Sequence, residues 1–100
     1  MYDMKNVKKL GRLGELAPEV FKAFVAFDEV ACKAGAIPAK YKELMAIAVA
    51  LTTQCPYCIE IHATRAKKAG ATEQELAETT LVAAALRAGG AVTHGTHVLE

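Results

Sequence analysis

The sequence has little net charge, no long apolar run and no strand-like alternation. Twelve basic side chains nearly balance eleven acidic ones, for a formal net charge of +1. Both signs are spread along the chain, so the one-signed field that draws a protein to nucleic acid or to an anionic membrane is missing. No apolar run approaches the roughly 20 residues of a membrane span. The first ten residues, MYDMKNVKKL, are polar and hold no signal-peptide core, so the chain reads as cytoplasmic. No segment keeps a two-residue alternation between turn signals, which argues against a sheet. Tandem repeats, linkers and low-complexity blocks are also missing. Residues 1–100 therefore read as one small all-α domain.

Apolar residues, by contrast, are plentiful. They make up 53% of the chain, and 20 of them are alanine. A chain of this size buries only about two-thirds of its unfolded surface, so its own core cannot hide them all. Self-association would bury the excess, and alanine lets helices approach closely. The expected state is a homo-oligomer.

Turn and cap signals divide the chain into helices. Residues 1–16 are ambiguous: Leu10, Leu13 and Leu16 suggest a packing edge, while Gly11 and Gly14 weaken a helix. Pro18 suits a first helical position and opens a helix that should stop at Gly35. Its apolar set includes Phe21, Phe24 and Phe27, expected in the core or at an interface. Pro38 opens a second helix, with Leu44, Ile47, Ala48 and Leu51 as its stripe, ending near Thr52 to Gln54. Pro56 opens a third, stopping at Gly70. Thr72-Glu73-Gln74-Glu75 reads as a capping box for a fourth, which should end at Gly89-Gly90. One more short helix is expected beyond Ala91.

The chemistry gathers in TQCPYCIEIH, from Thr53 to His62. Pro56 at a first helical position makes Cys55 the N-cap, so both cysteines sit on the first turn of a helix. Unpaired N–H groups and the helix dipole there favour thiolate over thiol. Residues three apart on a helix are neighbours, so Cys55 and Cys58 can close a disulfide without large movement. His62 follows one turn after Cys58 and can take its proton.

Glu43 is the second unusual residue, sharing a helical edge with Ala46, Ile47 and Ala50. If the second and third helices form a hairpin turning near Gln54, Glu43 lies about 16 Å before the turn and His62 about 12 Å after it. The two side chains would then stand at similar heights, and a carboxylate there could hold the imidazole and relay its proton.

Other readings of these residues exist. Zinc would need His94 and His97 to complete four ligands, a spacing unlike that of a zinc finger. A permanent structural disulfide does not suit a reducing compartment. Glu43 by itself could be an exposed charge or pair with Lys40 or Lys42. Cys32 has no partner in sequence and reads as a small buried hydrophobe. His94 and His97 read as packing or subunit-contact residues, and the basic run from Arg65 to Lys68 as a solvated face. A redox pair is the reading the four residues favour together, with no metal and no cofactor.

Glu43, eleven residues, then Cys55-x-x-Cys58-x-x-x-His62 resembles the alkylhydroperoxidase D-like branch of the carboxymuconolactone decarboxylase superfamily. The stretch KELMAIAVALTTQCPYCIEIHATRAKKAGATEQELAE looks like that family throughout, and the resemblance is strongest over 18–92. It implies an all-helical bundle whose subunits interlock into dimers, trimers or hexamers. It also implies thiol-dependent reduction of peroxides. By this resemblance Cys58 is the peroxide-attacking cysteine, Cys55 its resolving partner, and His62 with Glu43 the proton relay. An external dithiol or a lipoylated protein would restore the pair.

Two departures stand out. The founding enzymes carry a histidine just before the second cysteine, where this chain has Tyr57, and they duplicate the helical unit. A phenol hydrogen-bonds but is a poor proton shuttle at neutral pH. The runner-up activity is a protein or lipoamide disulfide oxidoreductase with little peroxidase action. A different class is a non-enzymatic helical module that senses redox state or binds a metal.

Overall fold

A computed structural model describes residues 2–99. Five α-helices follow in order: α1 (Leu10–Leu16), α2 (Pro18–Cys32), α3 (Ala39–Thr53), α4 (Pro56–Lys68) and α5 (Glu73–His94). Short 3-10 turns, Met4–Lys9 and Gly95–Val98, flank them, and no strand occurs among the described residues. The ambiguous first sixteen residues thus form a 3-10 turn and α1. A Cβ at Gly14 would come within 2.9 Å of the Phe21 ring where α1 folds back on α2, so a larger residue there would force that ring to shift.

The caps explain where each helix stops. α2 ends at Cys32, short of the expected stop at Gly35. Lys33 turns extended, and the Lys42 ammonium donates to the carbonyls of Ala31 (3.1 Å) and Lys33 (2.6 Å). A lysine of the next helix therefore satisfies the orphan carbonyls that a glycine turn was expected to cover. α3 ends in a left-handed Gln54, and the Arg87 guanidinium donates to the Thr52 carbonyl at 2.6 Å. Gly70, at φ 97°, ends the α4 segment as expected. The capping box at Thr72 is present in full: Thr72 N–H donates to Glu75 Oε1 (2.9 Å) and Glu75 N–H to Thr72 Oγ1 (3.1 Å).

α5 is longer than expected. It runs straight through Gly89 and Gly90 to His94, and the tail continues it as a 3-10 turn. Glycine stops a helix by turning the backbone left-handed. Among the described residues only Gln54 and Gly70 have positive φ. Each helical glycine costs about 1 kcal/mol relative to alanine but leaves the hydrogen-bond ladder whole.

α3 is the centre of the fold. α4 packs on one side of it and α5 on another, whereas α2 touches it thinly and α1 rests on α2. The buried side chains are Glu43, Ile47 and Ala50 on α3, Ala66 on α4 and Ala83 on α5. The three phenylalanines are not core: Phe21 is half-buried, and Phe24 and Phe27 are exposed. The radius of gyration is 16.5 Å, against about 13 Å for a compact chain of this length. The chain exposes 7764 Å², where a compact monomer of its mass exposes about 5,500 Å².

Candidate active site

The turn between α3 and α4 fixes the cysteines. Left-handed Gln54 reverses the chain, and Cys55 N–H donates back to the Ala50 carbonyl at 3.1 Å. Cys55 is the N-cap of α4: its backbone is extended and its sulfur accepts from the Cys58 N–H at 3.3 Å. Pro56 follows at the first helical position, where the N–H it lacks would have had no intrahelical partner. Cys55 and Cys58 are joined as a disulfide, with Cα atoms 5.3 Å apart.

Glu43 and His62 come together across the hairpin. Glu43 Oε2 lies 2.6 Å from His62 Nδ1, and both side chains are largely shielded, at 10% and 14% exposure. The contact bridges α3 and α4, nineteen residues apart in sequence. An ionised carboxylate only accepts, so against one Nδ1 donates, and a neutral ring would then present Nε2 as its acceptor. Charge assistance in a shielded site makes this a strong hydrogen bond. The alternative pairings of Glu43 with Lys40 or Lys42 do not form. Lys40 pairs with Glu75 at 3.0 Å, and Lys42 caps α2.

Cys58 and His62 border a cavity of about 380 Å³ between α2, α3 and α4. Cys32, Met45, Ala46 and Val49 form much of its wall. Cys32 is half-exposed rather than the buried hydrophobe expected. Burial foremost, then Asp28 and Glu43 nearby, push its thiol pKa up and keep it protonated. The sequence offered no route to these wall residues, because it does not say how α2 lies against α3.

The remaining candidates sit elsewhere. Tyr57 Oη accepts from Asn6 Nδ2 (3.0 Å) and from Asp3 N–H (3.3 Å), and its ring meets Tyr2 edge-on at 5.0 Å. It ties the first 3-10 turn to α4. His94 and His97 are exposed, their rings 5.7 Å apart, and neither borders the cavity. Among the described residues, no three His, Cys, Asp or Glu side chains gather as a metal-binding set. Nor is any helix long and apolar enough to cross a membrane.

The chain resembles several known proteins. Uncharacterized protein 4 in the cox locus of Paracoccus denitrificans is 39% identical over 102 residues, covering 99% of this chain and 92% of that one. An uncharacterized Haemophilus influenzae protein is 43% identical over 59 residues, 59% of this chain and 52% of its own. Among solved structures, a protein from Methanobacterium thermoautotrophicum superposes with a TM-score of 0.81 at 36% identity, covering 86% of this chain and 97% of that one. The apo form of a carboxymuconolactone decarboxylase family protein from Legionella pneumophila superposes with a TM-score of 0.77 at 35% identity, covering 82% and 73%. The model of that same family matches residues 18–100, from the first residue of α2 onward. By sequence and by fold, this chain belongs to the carboxymuconolactone decarboxylase family.

Proposed function

We propose that the chain is a thiol-dependent peroxidase of the alkylhydroperoxidase D-like branch, reducing organic hydroperoxides through Cys55 and Cys58. The observation that carries the reading is the 2.6 Å bond between Glu43 and His62. It holds an imidazole one helical turn from Cys58, with Nε2 free to take a thiol proton.

The cycle starts from the reduced pair. His62 takes the Cys58 proton, while Glu43 orients the ring and stabilises the imidazolium. The Cys58 thiolate attacks a peroxide oxygen. An S–O bond forms as the O–O bond breaks, and the departing alkoxide takes a proton to leave as alcohol. Cys58 becomes a sulfenic acid, oxidised by two electrons. The Cys55 thiol then attacks that sulfur, water leaves, and the disulfide closes. An external dithiol, small or carried on a lipoylated protein, reduces it by two thiol–disulfide exchanges. The cycle calls for no metal and no cofactor.

Stopped-flow mixing of reduced protein with an organic hydroperoxide tests this. The expected result is stoichiometric peroxide loss with closure of the pair. Cys55→Ser should give one turnover and a trappable sulfenic acid on Cys58. If reduced protein ignores peroxides yet exchanges with lipoamide, the activity is that of a disulfide oxidoreductase. If it does neither, the site is a redox sensor or metal-binding module.

A further inference from the structure

The cysteine pair has an attachment that the catalytic reading does not use. Tyr57 stands between Cys55 and Cys58 on the first turn of α4, and its side chain holds the segment 2–9. Its hydroxyl accepts from Asn6 Nδ2 at 3.0 Å and from Asp3 N–H at 3.3 Å, and the Tyr2 ring meets it edge-on. Met4 shares a hollow with Glu60, Ile61 and Thr64 farther along α4. The backbone of the segment lies mainly against α1, so side chains carry its hold on α4. Neither the Glu43–His62 bond nor the wall of the cavity includes any of these residues.

The place of Tyr57 within the motif gives this contact its meaning. The S–S bond closes a ring through Cys55, Pro56, Tyr57 and Cys58. Proline fixes φ near −65°. Of the two residues inside the ring, Tyr57 is therefore the one whose backbone can respond when the bond forms or breaks. Its hydroxyl lies at the far end of a rigid side chain, so a small backbone rotation carries it out of hydrogen-bond reach.

We propose that Tyr57 makes residues 2–9 a strap on α4, which holds while Cys55 and Cys58 are joined and loosens when they are reduced. The contacts described above are those of the joined state. A dithiol opens it. Its thiolate attacks one sulfur, the S–S bond breaks, and its second thiol resolves the mixed disulfide. Two electrons and two protons end on Cys55 and Cys58, and the reductant closes its own disulfide. Coupling is reciprocal, so the strap favours the disulfide by the same factor by which the disulfide tightens the strap. Tyr57 is a positioning residue in this scheme. The scheme needs only the thiol–disulfide couple, whatever oxidises it, and its test avoids peroxide.

Lys5, Lys8 and Lys9 supply the readout, because Lys-C cuts this segment when it leaves its helical turn. Reduction with dithiothreitol should speed cleavage there by about tenfold, the worth of one or two net hydrogen bonds. Tyr57→Phe keeps the ring and loses the acceptor. It should raise cleavage of the joined protein to the reduced level. In redox buffers its disulfide should be about tenfold easier to reduce, a rise of about 30 mV in potential. Asn6→Ala, which leaves the motif intact, should move both readings the same way by less, and should add little in the Tyr57→Phe background. Both positions lie outside the buried set, so the variants should stay helical. Equal cleavage of joined and reduced wild type would overturn the proposal. So would a potential that Tyr57→Phe leaves unmoved. A potential that Tyr57→Phe moves and Asn6→Ala does not would also overturn it, by assigning the effect to the phenol beside the thiols rather than to the strap.

Discussion

The α3–α4–α5 unit and the α1–α2 arm are built from similarly apolar sequence, yet they end in opposite states. Among the described residues every buried side chain belongs to the first, and neither α1 nor α2 buries any. The unit closes on itself because α3 has a neighbour on two sides. The arm meets the rest mainly through a thin contact with α3 and the Lys42 cap. A helix buries its stripe only where another element covers it, so Leu10, Leu13, Leu16, Phe24 and Phe27 of the arm stay exposed. The two regions also hold different cysteines. Cys55 and Cys58 lie on the closed unit at a helix N-terminus, and Cys32 ends the arm with its pKa raised.

The largest expected effect separates those cysteines. Cys58→Ser should abolish peroxide consumption, whereas Cys32→Ser should leave the cycle intact, as steady-state assays with a dithiol donor would show. Loss of the cycle in Cys32→Ser would move the chemistry onto the arm.

Next comes the buried pair. Glu43→Gln keeps shape but loses charge and should slow the attack of reduced protein on peroxide by about 10²- to 10⁴-fold. The deficit should shrink as pH rises above the thiol pKa, because hydroxide can then remove the proton. His62→Ala should lose a similar factor. The double variant should lose less than the product, since the two act as one unit. A wild-type rate for Glu43→Gln at neutral pH would leave Glu43 a structural partner only.

Stability gives a third contrast. Ile47→Ala, in the closed unit, should cost about 2–5 kcal/mol in denaturant unfolding. Val20→Ala, 68% exposed on the arm, should stay within about 0.5 kcal/mol. Equal costs would mean that the arm has a core of its own. A smaller effect is Thr72→Ala, which removes the cap of α5 and should cost about 1 kcal/mol.

The smallest effect is pH-dependent. The Thr72 backbone N–H first, then Lys40, hold Glu75 below its ordinary pKa of 4.5. A carboxyl lowered in the folded chain adds stability above its unfolded pKa, and that stability is lost as pH falls through the depressed folded value. The thermal midpoint of wild type should therefore drop over that acidic window more than that of Glu75→Gln. Identical profiles would show that the cap works without the charge.

Local signals carried much of this structure. Pro18, Pro38 and Pro56 open their helices, Gly70 closes one, and Thr72 caps another, because φ restriction, left-handed turns and side-chain caps act within a few residues. The Cys55 N-cap follows from Pro56 beside it. Even the Glu43–His62 pair was legible, since a hairpin turning at Gln54 converts residue counts into heights at 1.5 Å per residue. What only the tertiary structure decided involves contacts between distant elements. Lys42 reaches back to end α2 before Gly35, and α5 passes through Gly89 and Gly90 because the backbone makes no left-handed turn there. Cys32, Met45 and Val49 become walls beside Cys58 because α2 lies across α3. Helix periodicity says which stripe of a helix is apolar. Which element covers that stripe, or whether none in the same chain does, is set by how the helices pack.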